Sequence, residues 1–552
     1  MGSEEYGIEI LKVQKIRQVG AIIGREFSRG LLAEVLRMDA ARLDAALDEL
    51  LRAELVVRRG IVPDEHYIFR HALIRDTAYN SLLKGQRALR HAQIAAALEA
   101  LEPDTVASQP ELLAYHCQEG GLAARALDFW REAGHRAVAR AANREAAMHY
   151  RAALALLASG DAGGEADELD LQMNLGSVLM QIEGFASEPT MAAFARAREL
   201  ASALGRVDDY VMACAAFGAT LWGAGRYEEE LELLEQIGAD DLARLRPMSR
   251  VFHSVVLGLL KFHLGALDEA SHLIESTMRD LASVAPAERL DISGVDARVL
   301  ALTQAISIRV HQGRLDDADA YTDDALRIAQ ERDHEPTWAW AHAMARWRAF
   351  RHGNWAESIR ESRATLEIAE RLGFTTRLGS GKMLLGRSLV AAGEVDEGAR
   401  LLREGYALWS ADGSPTGITD FASAAADVLL AAGRLDEAGS YVRIGEEAQA
   451  AIPERHFAAE LRRLRALLDA AAGDGAAAEA GLREAIATAD AQGARVQALR
   501  AATDLARITA ATSRAVEGRR LLEQALAALP QGRDQPDARR AQALLRELGA
   551  GA

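Results

Sequence analysis

The chain has 552 residues, a formal charge of −17, 49% hydrophobic residues rich in alanine, and only 5% aromatics. Single cores stop growing at roughly 250–300 residues, so one compact globule is excluded, and many thin helix-on-helix contacts are favoured over one thick core. Residues 1–100 hold 15 Lys/Arg against 14 Asp/Glu, which leaves the remainder strongly acidic; such a body repels nucleic acid and anionic membrane and favours basic or peptide partners.

The start of the chain is acidic (Glu4, Glu5) without an apolar core segment, and no run of 18 uncharged apolar residues follows. Neither a signal peptide nor a membrane span is therefore expected, and a cytoplasmic location follows by default. Cys117 and Cys214 are the two cysteines, too few for a disulfide framework or a cysteine zinc site, and they are expected to be small buried apolar residues.

An apolar-periodic helix is predicted from about Ile8 to Ile23, a second from Ser28, which can cap it, to about Met38, and a third from about Ala41 to Ala53. Two β-prone runs follow, Leu55 to Gly60 and His66 to Arg70, around a Pro63-Asp64 turn. Three helices and a hairpin describe a small winged-helix domain. Helices over about 71–83 and 87–101 lead onward.

Beyond residue 100 a short motif recurs, Gly, any residue, hydrophobic, two acids and Ala, at Gly265 to Ala270, Gly313 to Ala318 and Gly433 to Ala438. Variants begin at Gly225, Gly353, Gly393, Gly475 and Ser513, and four of the intervals are 40 residues. Each period reads as helix, turn, helix: the glycine allows a left-handed helix end, and the acidic pair opens the next helix, where the macrodipole favours negative charge. Further turn signals stand at Gly205, Gly373 and Gly493, and residues 281–292 lengthen one turn. Stacked pairs bury a continuous core and create a concave face. The register resembles the tetratricopeptide family with a period near forty. This predicts an all-α, right-handed α-solenoid with boundaries at 1–105 for the winged-helix adaptor, 106–530 for the repeats and 531–552 for a polar capping helix and tail.

The phrases Val19 to Ser28, Tyr67 to Leu83, Gln109 to His116 and Ala137 to Ala146 are similar to the segment after the nucleotide-binding module of large bacterial signal-transduction ATPases of the AAA-like or STAND type. Those proteins are often joined to adenylate/guanylate cyclase or LuxR-type DNA-binding domains. The resemblance implies a sensor and interaction region whose partner is an ATPase or cyclase module, in cis or in trans.

Chemistry-bearing constellations are sparse. Gly379-Ser380-Gly381-Lys382-Met383 lacks the first glycine and the Ser/Thr of a P-loop and is expected at a close helix contact. His334-Glu335 has no second histidine one turn on, and no hydrolase elbow stands out, so no enzyme activity, metal or cofactor is expected. Arg58, Arg59, Arg70, Lys84, Arg87 and Arg90 form a modest basic patch for interdomain or nucleic-acid contacts, but the third helix carries Asp44, Asp48 and Glu49 where a reading helix needs donors. Four of the seven tryptophans fall within residues 338–355. Trp338, Trp340, His342, Arg346, Trp347 and Arg351 are candidates for a groove that grips a protein, peptide or small effector; the same spacing also suits packing between paired helices. The expected role is a non-catalytic interaction and sensor scaffold. The alternatives are a DNA-binding transcriptional regulator and an ATP-dependent enzyme whose catalytic module is not in this chain.

Overall fold

The structure is a computed structural model that describes residues 2–60, 65–285, 289, 295–332, 334–372, 375–411 and 414–550. The Pro63-Asp64 turn, Gly373 and half of the lengthened turn at 281–292 lie outside the described residues. The chain divides into two compact units, Met1–Leu171 and Gln172–Ala552.

The first unit opens with α1 (Gly2–Ile23), β1 (Glu26–Ser28), α2 (Arg29–Leu36), α3 (Ala40–Arg52), β2 (Val56–Arg59) and β3 (His66–Phe69). The Ser28 hydroxyl accepts from Leu31 N at 3.1 Å, and Asp39 caps α3 in the same way through Arg42 N. Strand β1 was not expected, because three residues with one buried side chain carry no readable alternation. It pairs antiparallel with β3, which also pairs with β2, giving the order β1-β3-β2. Tyr67 and Phe69 point from β3 into a core shared with Phe27, Leu32, Leu43, Leu47 and Leu50. Gly20 lets α1 reach that core: a methyl group there would meet the Phe27 ring at 2.8 Å. Helices α4 (Ala72–Asn80), α5 (Lys84–Leu101), α6 (Pro103–Ser108), α7 (Pro110–Glu119), α8 (Ala123–Ala139) and α9 (Asn143–Ala158) follow. Cys117 is buried on α7.

The second unit is an α-solenoid of tetratricopeptide-like helix pairs, among them Pro247–His263 with Leu267–Ala282, Ala297–His311 with Leu315–Arg332, Glu335–Arg351 with Trp355–Leu372 and Thr375–Ala391 with Val395–Ser410. Further along the chain, Ile418–Ala431 pairs with Leu435–Ala451, Ala458–Ala471 with Gly475–Gln492, and Arg495–Thr509 with Ala515–Ala527. At Gly265 (φ 81°) the turn closes as the periodicity requires: Gly265 N donates to Phe262 O and Ala266 N to Lys261 O, each at 2.9 Å. The register glycine of the later repeat is Gly473 (φ 90°), two residues before the expected Gly475, which lies inside the helix that Asp474 caps. The P-loop lookalike lies in a close helix contact, where a methyl group on Gly379 would meet Trp409 N at 2.9 Å, and Lys382 pairs with Glu404 at 2.9 Å. Pro536–Ala550 buries Ala538, Ala541 and Leu544 against Leu499 and Leu522 and leaves Arg539, Arg540, Arg546 and Glu547 outward.

The concave face does not stay open. Ser414 Oγ donates to Gly223 O at 2.6 Å and Tyr227 OH to Thr416 Oγ1 at 3.3 Å. Arg455 N donates to His263 O at 2.7 Å, Gln531 Nε2 to Asp317 Oδ1 at 3.0 Å and Arg351 to Gln535 at 3.2 Å. These partners are separated by 184 to 214 residues, so the stack returns to itself after about five forty-residue pairs and forms a seam between successive turns. No helix among the described residues is long and apolar enough to cross a membrane.

A candidate ligand cavity inside the solenoid

Within one superhelical turn the first helices of successive pairs point their inner faces at a common cavity of about 510 Å³, within the range of small-ligand sites. Trp347, Phe350 and Trp355 form one wall, and Val390, Val428 and Leu499 contribute apolar surface. Asp420, Ser423 and Asp427 line it from one face of Ile418–Ala431, spaced i, i+3 and i+7.

Below this surface lies an ionic network. Arg463 donates to Asp427 at 2.5 Å, to Glu460 at 2.7 Å and to Asp504 at 2.6 Å, and its side chain is 6% exposed. Arg500 joins it through Asp427 at 2.6 Å and Glu460 at 3.0 Å. Burial alone would push the Asp427 carboxyl up, but Arg500 and Arg463 outweigh it and hold the group far below the usual carboxylate range.

Arg387 is different. Its guanidinium lies 3.8 Å from the centre of the Phe350 ring, its Nε has no hydrogen-bond partner, and burial pulls it down to about 10. Burial pushes Asp420 up to about 6, against the opposing pull of Arg387.

At the seam, His263, Glu454 and His456 bring three possible ligand atoms within 4.8 Å of one another. Glu454 Oε1 accepts from His263 Nδ1 at 2.8 Å and Gly417 N at 2.9 Å, and Oε2 from Thr419 Oγ1 at 2.5 Å and Thr419 N at 3.4 Å. A cation would have to displace these donors, so the carboxylate serves as a bolt between turns. Burial would raise it, yet the His263 hydrogen bond and the nearby His456 bring it down to about 2. His456 and His311 are both held low by burial.

The aromatic stretch is divided by the helix that carries it. Trp347 and Arg351 line the cavity, Arg351 bonding Asp319 at 2.6 Å. Trp338 instead stacks on His342 at 3.6 Å, and His342 bonds Glu361 at 2.7 Å. Trp340 packs against Val299, Leu302 and Ala325, and Arg346 donates to Thr365 at 3.1 Å. These four lie outside the cavity lining.

In the first unit the basic residues are partly neutralised. Arg58 pairs with Glu65 at 3.3 Å and Arg70 with Glu54 at 2.5 Å, Arg87 stacks over Tyr79 at 4.9 Å, and Arg90 donates to Gln93 at 2.8 Å. Arg59 and Lys84 are exposed.

Arg387, Asp420, Glu454, Arg463 and Arg500 escaped sequence reasoning. For Arg387, Asp420, Arg463 and Arg500 the signal was charge on the otherwise apolar, alanine-rich faces of the first helices of pairs; Glu454 lies in the turn before Ala458–Ala471, where an acid is unremarkable.

No family model matches the chain. It is 24% identical over 501 residues to an uncharacterized protein of Rhizobium meliloti (strain 1021), a match covering 88% of this chain and 48% of that protein. The chain thus spans about half the length of the curated relative it matches. Among solved structures, a Rap protein complexed with competence and sporulation factor aligns at 12% identity and a TM-score of 0.49, over 70% of this chain and all of that one. The apo quorum sensor NprR from B. thuringiensis aligns at 11% identity and 0.40, over 68% of this chain and 96% of that one. A STAND protein with a tetratricopeptide repeat sensor from Pyrococcus horikoshii aligns at 12% identity and 0.32, over 98% of this chain and 65% of that one.

Proposed function

We propose that the chain is a non-catalytic sensor and protein-interaction scaffold whose second unit takes a small effector or peptide into the cavity of its solenoid. The observation that carries this reading is the cavity itself, a partly open hollow with an aromatic and charged lining in the region where the stack returns onto itself. A ligand that bridges the lining binds the closed turn better than an opened one, and only such differential affinity shifts a conformational equilibrium. The helix and strand order of the first unit, with its sheet order β1-β3-β2, supports a winged-helix adaptor. Together with the resemblance of residues 19–28 and 67–83 to the ATPase-following segment, it supports a role beside an ATPase or cyclase module. The Arg58–Glu65 and Arg70–Glu54 pairs weigh against a phosphate-binding surface.

The test is native mass spectrometry of the chain against a defined pool of metabolites and short peptides. A ligand retained by the wild type should be lost in Ala424→Trp, which fills the cavity from the helix Ile418–Ala431. Absence of any adduct, or an adduct indifferent to Ala424→Trp, would contradict the reading.

A further inference from the structure

The charges lining the cavity can be assigned one by one. Arg500 is satisfied by Asp427 and Glu460, Arg540 pairs with Asp537, and Arg351 pairs with Asp319. Two groups remain, Arg387 and Asp420, opposite in sign, lining the same cavity and without an ion pair to each other. Arg387 is only 8% exposed, and a buried guanidinium with an unused N–H is costly unless something accepts from it. Two further orphan atoms line the same space: Ser423 Oγ, on a residue 1% exposed, and Gln497 Oε1, on a residue 6% exposed. The cavity therefore offers a cationic donor, an anionic acceptor and two neutral hydrogen-bonding atoms beside an aromatic wall. Orphaned polar atoms at this density are the mark of a ligand or of bound water.

We propose that the cavity receives an α-amino-acid zwitterion, supplied either as a free amino acid or as a short peptide. Arg387 takes its carboxylate, Asp420 its ammonium group, and the Trp347–Phe350–Trp355 wall takes an apolar side chain. A ligand with one of these charges alone would leave the other lining charge buried and unpaired, which is the basis of selectivity. The volume of about 510 Å³ accommodates a ligand of this size. This inference rests on the cavity reading above and specifies the chemistry of its occupant.

The experiment is calorimetric titration of the full chain with six probes: pooled L-amino acids, pooled dipeptides, and the N-acetylated and the C-amidated forms of each pool. Binding is expected for a member of one free pool and not for its blocked forms; which free pool binds distinguishes amino acid from peptide. Arg387→Met should weaken that binding roughly tenfold or more, and Arg387→Lys should restore part of it. Asp420→Asn should remove the discrimination against the N-acetylated form. Far-UV circular dichroism checks that each variant is folded. Failure of every free pool to bind would overturn the proposal, as would binding that ignores Arg387→Met. If another ligand binds, is lost in Ala424→Trp and ignores Arg387→Met, the zwitterion assignment falls while the cavity reading stands.

Discussion

Replacing Glu454 with alanine should open the seam without unfolding the helix pairs on either side. The carboxylate is fully buried and accepts from His263, Gly417 and Thr419, so its removal orphans the donors of the buried His263 and Thr419 side chains. Breaking a buried, hydrogen-bonded pair on one side costs about 3–5 kcal/mol. The pKa gives an independent scale: depression from the ordinary 4.5 to about 2 corresponds to roughly 3 kcal/mol. Because the folded-state value is lowered, this contribution is present above about pH 4.5 and is lost as pH falls towards 2. Hydrogen exchange of peptides covering 414–419 and 454–457 is the assay, because solenoid pairs respond locally and a global melt would blur the effect. Exchange at Gly417, Thr419 and Arg455 should accelerate roughly a hundredfold, with Glu454→Gln intermediate. Unchanged protection in Glu454→Ala at neutral pH would refute the bolt.

Glu230 is fully buried, has no hydrogen-bond partner on either oxygen, and is pushed well up by burial. A raised carboxyl stabilises below its unfolded value and loses that contribution as pH rises, so Glu230→Gln should raise the melting temperature at pH 7.5 and leave it unchanged near pH 4, as read by scanning fluorimetry. Gly386→Ala puts a methyl group 2.7 Å from Gly398 O and should cost about 1–3 kcal/mol in chemical denaturation. Arg463→Ala should cost about 3–5 kcal/mol because three carboxylates lose their shared cation, whereas Arg400→Ala, which breaks only exposed ion pairs, should leave the denaturation midpoint unchanged.

The repeat register was legible because each period needs a residue at positive φ to end its first helix, and Gly265, Gly313 and Gly433 mark that need directly. Gly473 was misplaced by two because the run Gly-Asp-Gly offers two glycines, and only the capping bond from Ala477 N to Asp474 settles which one turns. The return of the solenoid onto itself was not legible. It depends on contacts such as Ser414 to Gly223, 191 residues apart, whose geometry is the accumulated rotation of several pairs and leaves no local pattern. The aromatic stretch was recognised as unusual, yet its division followed from helix phase: Trp347 and Arg351 reach the cavity, whereas Trp338 turns to His342. Arg387 and Asp420 stand on the first helices of neighbouring pairs, Thr375–Ala391 and Ile418–Ala431, and no local motif spacing relates them in the sequence.

The central claim is that the solenoid closes on itself around a cavity, and a cross-link across the seam tests it most directly. Asp317 and Gln531 meet across the seam, Gln531 Nε2 donating to Asp317 Oδ1 at 3.0 Å, and neither is a turn glycine. The double variant Asp317→Cys/Gln531→Cys, treated in dilute solution with a short bismaleimide, should form an intramolecular cross-link that changes its mobility on a denaturing gel, whereas each single variant should not. A thiol pair that stays unlinked, or that links only between molecules, would contradict closure of the seam.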